Sequence, residues 1–273
     1  MADSLIETSA EPIDFGSTDK WTFDPTTKIF DLSRSSAKQL TIPTDDGLSL
    51  HKAVTIDPQK TALVIVDMQN FFLHPDCREN PLGLAAVAPL TRVIEKSRTE
   101  GIQVVWLNWG LTDDDALTMP PSLQRGFGRD LIAGTNTGYR GLGADLGNGK
   151  GRCLFAGSWN ADIYPPLKSV VADDDVHCSK NRMSGLWSPA QPLLKYLLES
   201  GKQTILFAGV NTDQCVLGTL TDAYSWGWDC LLVGDCAATT TGQGAKDVCE
   251  HNVANSYGFV IDSEQLQRAT ASP

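Results

Sequence analysis

Two apolar runs dominate the hydrophobic pattern of the chain. Residues 61–66 (TALVIV) and 204–208 (TILFA) are almost continuously apolar, without the alternation of a half-exposed strand. Such runs are typical of central parallel strands, because helices cover both faces of a parallel sheet. Polar residues follow within a few positions of each run, from Asp67 after the first and from Asn211 after the second. The pattern therefore predicts polar side chains at the carboxyl edge of a buried sheet, where open α/β sheets bind ligands.

Further strands and helices alternate along the rest of the chain. Strands are predicted at 102–107, within 170–180, at 228–233 and at 258–261, and helices at 84–99, 188–200, 213–226 and 243–256. A short strand followed by a helical turn is also predicted within 153–167. The alternation predicts an α/β fold in three α-β-α layers, with a six-stranded, mostly parallel, doubly wound sheet in a single domain.

The two ends of the chain lie outside this pattern. Residues 1–57 are predicted to form an N-terminal extension that is partly disordered, chiefly in its first fifteen or so residues. Aromatic residues within 21–32 indicate that this part of the extension packs on the body or on a partner subunit. The predicted α/β domain then spans residues 58–265, and residues 266–273 form a tail.

A long segment after the second strand has no clear period. Residues 111–150 are rich in Gly, Asp and Pro. A stretch of this length inside a compact domain is usually a functional loop, so it is a candidate lid. A solvated insertion without a role remains the alternative.

Composition narrows the partners and the compartment. The 273 residues carry a formal net charge of −11, which disfavours binding to nucleic acid. Seven cysteines without paired spacings suit a reducing compartment. The N-terminus lacks the features of a secretory signal, and no stretch approaches the ~20 apolar residues of a membrane span. We therefore expect a cytoplasmic protein with no nucleic-acid or membrane partner.

Cys215 lies where the strand at 204–208 gives way to a predicted helix. The first N–H groups of a helix lack partners and its dipole is positive there, which predicts a lowered pKa for the Cys215 thiol. The same N–H groups can stabilise an oxyanion. Cys215 as a small buried apolar residue is the alternative.

Asp67 and Lys180 also follow predicted strands, so the fold brings them to the same sheet edge as Cys215. Together they suit nucleophilic catalysis: Asp67 takes the thiol proton, Lys180 lowers the pKa of both neighbours, and Cys215 attacks a carbonyl. Considered singly, each residue also has a non-catalytic interpretation: Asp67 as a turn cap and Lys180 as a solvated surface residue.

Three motifs in this order resemble those of the isochorismatase-like cysteine hydrolases: VIVDMQN at 64–70, KNRMSGLW at 180–187 and GVNTDQCV at 209–216. The resemblance covers roughly residues 58–261. It implies a catalytic triad of Asp67 as base, Lys180 as charge partner and Cys215 as nucleophile. It also implies a cis peptide bond between Val210 and Asn211, which turns backbone N–H groups toward an oxyanion site. Gln214 is assigned to the same site.

Comparison within the family separates its branches. Isochorismatases proper lack the nucleophilic cysteine, so Cys215 favours hydrolysis of an amide or ureide. Nicotinamidases bind a metal through an Asp-Trp-His segment after the second strand, where this chain has Asn108, Trp109 and Gly110. The four histidines are widely spread, without metal-ligand spacing. We therefore expect no metal and no cofactor, and a protein that resembles the ureidoacrylate and N-carbamoyl amidohydrolases.

The implied activity is hydrolysis of a non-peptide C–N bond in a small amide or ureide, through a thioester and with release of ammonia. Arg182 is a candidate clamp for a substrate carboxylate, with a surface ion pair as its alternative. The resemblance also implies a homodimer or homotetramer. Position after the strands predicts that substrate is bound by Gln69, Asn70, Phe72, Asn108, Trp109, Arg182 and Trp187.

Three other functions remain open. They are a hydrolase of isochorismate or of nicotinamide-type substrates, a non-catalytic binding or interaction homologue, and a redox-sensing thiol protein. Asp67 and Lys180 count against the last two, because neither an idle site nor a redox sensor requires both of them beside Cys215.

Overall fold

The structure, a computed structural model, describes residues 11–44 and 50–271. In this part of the chain the strands are Ile13–Phe15 (β1), Trp21–Asp24 (β2), Ile29–Asp31 (β3), Leu40–Pro43 (β4), Ala53–Ile56 (β5), Thr61–Val66 (β6), Gln103–Trp109 (β7), Val176–Lys180 (β8), Thr204–Val210 (β9), Asp229–Ala238 (β10), Phe259–Ile261 (β11) and Thr270–Ala271 (β12).

The α-helices of the same residues are mostly short. They are Asn70–Leu73 (α1), Pro81–Ala85 (α2), Val87–Glu100 (α3), Asp113–Leu117 (α4), Pro121–Phe127 (α5), Arg129–Ala133 (α6), Pro165–Lys168 (α7), Pro192–Glu199 (α8), Leu217–Trp226 (α9), Gln243–Asn252 (α10) and Ser263–Gln267 (α11). None of these helices is long and apolar enough to cross a membrane.

The main sheet has six strands in the order β11-β10-β9-β6-β7-β8, and every pair is parallel. The predicted α/β fold with a six-stranded sheet is confirmed. The chain runs outward from β6 through β7 to β8, then returns to β9 and runs the other way through β10 to β11. The strand order therefore reverses between β6 and β9, which is where open α/β sheets form their ligand crevice.

Every residue of β6 and β9 is buried, as their uninterrupted apolar pattern predicts. The two strands pair in register from Thr61 opposite Thr204 to Val66 opposite Gly209. Gly209 has a φ of +114°, and a Cβ there would lie 2.0 Å from the carbonyl oxygen of Val66. Only glycine allows the two backbones to approach this closely.

A second sheet is built from both ends of the chain, in the order β1-β2-β3-β5-β4-β12. Trp21 and Phe30 lie 5.6 and 5.3 Å from the ring of Phe259 in β11. Of the two alternatives for segment 21–32, packing on the body is the one observed. The expected disorder of residues 1–10 lies outside the described residues, whereas Ile13–Phe15 instead pairs with β2.

A buried carboxylate at the start of β10 ties the second sheet to the main one. Asp229 is 2% exposed and accepts hydrogen bonds from Trp21 Nε1 (2.8 Å), Thr204 Oγ1 (3.0 Å) and Arg34 Nη2 (2.9 Å). Burial raises the pKa of Asp229, although the hydrogen bonds from Arg34 act against that shift. Arg34 therefore supplies the charge that allows this carboxylate to lie between the two sheets.

Three local predictions differ from the structure. The strand expected within 153–167 is absent, since residues 151–158 form turns with single bridges. Helix α8 begins at Pro192 rather than at residue 188. The region 111–150 contains α4, α5 and α6, of five to seven residues each. Helices this short are too brief to show a hydrophobic period in the sequence.

Candidate active site

Asp67 follows β6 at the reversal of strand order. Its φ is +54°, a left-handed conformation that Asp and Asn tolerate better than most residues. Its backbone N–H donates to the Leu107 carbonyl (2.9 Å), and its Oδ1 accepts from the Trp109 backbone N–H (3.2 Å). Hydrogen bonds to β7 thus direct the buried carboxylate toward that strand.

Lys180 is the last residue of β8, and its side chain is fully buried. Its Nζ lies 3.0 Å from Asp67 Oδ2, donates to the Arg182 carbonyl (3.2 Å) and stands 4.0 Å from the ring centroid of Trp109. Buried lysines are almost always paired, since an unpaired charge in a low-dielectric interior is costly. These three contacts account for the ammonium group.

Cys215 lies in a π-helical turn, Thr212–Val216, that leads from β9 into α9. Its carbonyl accepts from the hydroxyl of Thr219 (2.7 Å). The cis peptide bond that the resemblance implies, Val210–Asn211, is present just before this turn. The charges of Asp67 and Lys180 both act on the pKa of the Cys215 thiol, so the three side chains lie close together. The fold therefore brings Asp67, Lys180 and Cys215 together, and we refer to them below as the trio.

The electrostatics of the trio correct one prediction. Burial raises the pKa of the Cys215 thiol to about 12, and the nearby charge of Asp67 raises it further, while the charge of Lys180 lowers it. Burial also raises the pKa of Asp67 against the lowering effect of Lys180. The expectation of a lowered thiol pKa was wrong because desolvation outweighs both the helix terminus and the lysine. The resting sulfur is a neutral thiol beside the group that can take its proton.

Three residues predicted to bind substrate follow β6 and are buried. The side chain of Gln69 is fully used: its Nε2 donates to the carbonyls of Trp109 (2.8 Å) and Ala161 (2.6 Å), and its Oε1 accepts from the Trp109 N–H (3.1 Å). Asn70 donates to the Trp159 carbonyl (2.8 Å), but its Oδ1 has no partner among the described residues. Phe72 packs edge-on against Phe71. The Gln69 side chain therefore links β7 to the segment at Ala161, whereas the Oδ1 of Asn70 remains an available acceptor.

Two further predicted residues follow β8. Arg182 donates to the Asn181 carbonyl (2.7 Å) and lies 5.0 Å from the ring of Trp187. Within 11–44 and 50–271, no carboxylate forms a salt bridge with it. Trp187 is 47% exposed and donates to Asn181 Oδ1 (3.1 Å). The surface ion pair considered for Arg182 is not observed, so its charge stays available to a ligand.

The remaining two, Asn108 and Trp109, line a cavity of about 670 Å³ at the carboxyl ends of β7 and β8. No member of the trio lines this cavity. Asn108 Oδ1 and Trp109 Nε1 are buried without hydrogen-bond partners among the described residues. Each of these side chains therefore has a polar atom without a hydrogen-bond partner at the boundary between the cavity and the trio.

A second cleft, of about 650 Å³, contains Thr240, whose backbone N–H donates to Asn211 Oδ1 (3.3 Å). Arg78 also lines it, with its guanidinium 4.2 Å from the rings of Phe71 and Tyr139. Sequence analysis did not identify Arg78 or Thr240, because neither carries a motif or a distinctive spacing. The tertiary contacts alone place Thr240 beside the segment that bears Cys215 and Arg78 on the wall of the same cleft.

Metal-ligating residue types do not converge in the part of the chain that the structure describes. No group of three or more His, Cys, Asp or Glu side chains there could hold a metal ion. All seven cysteines are free. The nicotinamidase-like position after β7 carries Asn108 and Gly110, and a Cβ at Gly110 would lie 2.7 Å from Ser179 Oγ. This position therefore offers an amide and a backbone group rather than a carboxylate and an imidazole.

Comparison with known proteins agrees with this geometry. The family model of the isochorismatase domain matches residues 61–265. Similar solved structures include N-carbamoylsarcosine amidase from Thermoplasma acidophilum, with 24% identity, a TM-score of 0.55 and coverage of 75% of this chain and 96% of that one. A cysteine hydrolase from Pseudomonas syringae has 18% identity, a TM-score of 0.61 and coverage of 78% and 94%. Pyrazinamidase/nicotinamidase from Streptococcus mutans has 18% identity, a TM-score of 0.55 and coverage of 74% and 99%.

At these identities the structural neighbours show a shared fold, whereas the family model spans most of the chain. The matched residues include all three members of the trio. This chain therefore belongs to the isochorismatase family and is a hydrolase.

Proposed function

We propose that this chain hydrolyses the non-peptide C–N bond of a small amide or ureide, with Cys215 as nucleophile and ammonia as the leaving group. The observation that carries the proposal is the buried Asp67–Lys180 pair, with Nζ and Oδ2 3.0 Å apart, whose charges both act on the Cys215 thiol. An ionised carboxylate beside a thiol is a general base already in position. A buried cysteine with a purely structural role requires neither group.

The reaction uses one carboxylate twice. As the Cys215 sulfur attacks the substrate carbonyl, its proton passes to Asp67, and a tetrahedral intermediate forms. Asp67 then returns this proton to the leaving nitrogen, ammonia departs, and a thioester remains. Water attacks the thioester with Asp67 as base, which releases the acid and restores the thiol. Lys180 stabilises the ionised form of Asp67.

The environment of Asp67 suits this double role. A carboxyl group with a normal pKa is too weak a base for a thiol, and burial raises the pKa of Asp67. Without a counter-charge, burial would leave the carboxyl protonated and unable to accept a proton. Lys180 at 3.0 Å opposes that outcome. We infer that burial makes the Asp67 carboxylate basic enough to accept the thiol proton, while Lys180 keeps that carboxylate ionised.

We place the oxyanion site at Val210, Asn211 and Gln214, on the segment that precedes Cys215, and the substrate next to Asn70, Arg182 and the cavity wall. The names of two structural neighbours, a carbamoylsarcosine amidase and a nicotinamidase, support a C–N bond as the target. Asn108 and Gly110 favour a reaction without a metal ion. A homodimer or homotetramer and a cytoplasmic location remain part of the proposal.

Ammonia release from a panel of ureidoacrylate, N-carbamoyl amino acids, biuret, nicotinamide, maleamate and isochorismate tests the proposal, with and without a chelator. We expect chelator-insensitive release from at least one ureide or amide, lost in Cys215→Ala. Cys230→Ala is the matched control, since Cys230 is buried near the start of β10, where its thiol donates to the carbonyls of Leu220 and Trp228. Equal release by wild type and Cys215→Ala would contradict the proposal, as would activity on isochorismate alone.

A further inference from the structure

Trp109, at the end of β7, contacts both charged members of the trio. Its backbone N–H donates to Asp67 Oδ1 (3.2 Å), and its ring centroid lies 4.0 Å from Lys180 Nζ. The side chain is 1% exposed and packs edge-on against Phe127 at 5.3 Å. Since β7 lies between β6 and β8 in the sheet, its terminal residue lies next to both charged members of the trio.

One group of this side chain has no assigned partner. Trp109 Nε1 is buried and makes no hydrogen bond with any described residue. Buried tryptophan N–H groups usually find an acceptor, because an unpaired donor loses its bond to water without compensation. Trp106, three residues earlier in the same strand, follows this rule: its Nε1 donates to Asp175 Oδ2 (2.8 Å). The unmet donor is therefore specific to the end of β7.

The indole that carries this N–H lies beside the trio, since its ring centroid is 4.0 Å from Lys180 Nζ, which is itself 3.0 Å from Asp67 Oδ2. In agreement with that position, the Trp109 side chain opposes the burial that raises the pKa of the Cys215 thiol. The other charged groups that act on Cys215 are Lys180, which also lowers its pKa, and Asp67, which raises it. A neutral thiol is a poor acceptor, whereas a thiolate attracts a donor strongly. The contact is thus weak at rest and gains strength as negative charge develops.

We propose that Trp109 is a fourth catalytic residue, whose indole N–H donates to the Cys215 sulfur while the thiol proton moves to Asp67. The inference rests on the proposed function and names the group that stabilises the negatively charged sulfur during that reaction. In this step the S–H bond breaks and the proton passes to the carboxylate. Sulfur carries the negative charge until the C–S bond forms, and the indole keeps its own proton. An interaction that strengthens only as charge develops accelerates the chemical step rather than substrate binding.

The test removes the donor and keeps the ring. Trp109→Phe retains an aromatic face for Lys180, and replacement of Trp109 by benzothienylalanine retains the bicyclic shape with sulfur in place of N–H. Trp106→Phe is the matched control, because it removes an indole N–H from the same buried strand, at a site bonded to Asp175. We expect both Trp109 variants to lower kcat about 10- to 100-fold with little change in KM, the effect of one lost hydrogen bond to a charged group.

A second readout needs no substrate, so it keeps a failure of this inference distinct from a failure of the proposed function. Alkylation of Cys215 by iodoacetamide is followed by peptide mass spectrometry at several alkaline pH values. We expect both Trp109 variants to react about tenfold more slowly than wild type at each pH, because less thiolate is present. Unchanged alkylation in the benzothienylalanine protein would overturn the inference, and so would equal slowing in Trp106→Phe.

Discussion

Lys180 Nζ lies 3.0 Å from Asp67 Oδ2, and neither side chain is exposed to solvent. The two residues end strands that are not neighbours, since β7 lies between β6 and β8. Lys180 reaches the carboxylate past the face of Trp109, which itself binds Asp67 through its backbone N–H. A buried pair of this kind gives little net stability relative to apolar residues, but removing one partner leaves an uncompensated charge.

Lys180→Met therefore has separate effects on stability and activity. We expect the free energy of unfolding to fall by about 3 kcal/mol, because Asp67 is left buried without its counter-charge. The pKa of Asp67 rises further, its carboxyl is protonated at neutral pH, and ammonia release is lost. Urea unfolding and the ammonia assay measure the two effects.

The double variant Asp67→Asn, Lys180→Met is the control for that prediction. Asn suits the left-handed backbone at position 67, where φ is +54°. With no buried charge left, we expect the double variant to recover most of the lost stability and none of the activity. A double variant as unstable as the single one would show that the pair contributes more than mutual compensation.

The pKa shifts predict the form of the pH dependence. Protonated Asp67 cannot accept the thiol proton, so kcat/KM falls as pH decreases through the pKa of Asp67. Burial raises this pKa, which moves the acidic limb above the pH of about 4 that is normal for a carboxyl group. No alkaline rise from thiolate formation is expected near neutral pH, because the pKa of the Cys215 thiol is raised to about 12.

Steady-state kinetics on the substrate found in the ammonia assay measure this profile. The same shift has a stability consequence of definite sign: the folded state holds the Asp67 proton more tightly than the unfolded state. Its contribution to stability therefore decreases as pH rises from the unfolded pKa through the raised folded one. An acidic limb at or below the normal carboxyl pKa would contradict Asp67 as the base.

Arg34 is predicted to anchor the second sheet. Arg34→Ala leaves Asp229 buried without its cation, which is expected to cost about 3–5 kcal/mol in the free energy of unfolding. The pKa of Asp229 is already raised by burial. The loss should therefore shrink as pH falls and the carboxyl becomes protonated.

Lys20→Ala is the matched control, because Lys20 forms a 2.8 Å ion pair with Asp14 in which both side chains are about half exposed (46% and 48%). Exposed pairs contribute about 0–1 kcal/mol, so little change is expected. Urea denaturation of both variants at neutral and acidic pH provides the comparison. Equal effects of the two substitutions would show that Asp229 does not depend on Arg34.

Gly209→Ala should disrupt the centre of the sheet beside Cys215. The new methyl group would lie 2.0 Å from the Val66 carbonyl oxygen, so β6 and β9 must separate. We expect a loss of more than about 3 kcal/mol or failure to fold. Gly201→Ala distinguishes the steric clash from the cost of a positive φ. Its φ is also positive (+63°), but no atom lies within 4 Å of the added Cβ. It should cost only about 1 kcal/mol. Thermal unfolding of the two variants measures the difference.

The sequence by itself determined the central strands of the sheet and the three members of the trio. The uninterrupted apolar runs that became β6 and β9 predict central parallel strands, because only residues buried on both faces can be apolar at every position. Asp67, Lys180 and Cys215 follow strands, and parallel strands bring their carboxyl ends to one edge. These inferences depend on local pattern and motif order, which are fully present in the chain.

Only the tertiary structure decided the charge state and the connections of the site. The helix terminus predicted a lowered thiol pKa for Cys215, but burial raises it, since desolvation depends on neighbours from other strands. The pairing of β12 with β4 joins residues more than 200 positions apart, and no local pattern encodes such a contact. The position of Trp109 between Asp67 and Lys180 likewise follows from strand order. Strand order and burial are properties of the whole packed chain, so they exist only once distant segments meet.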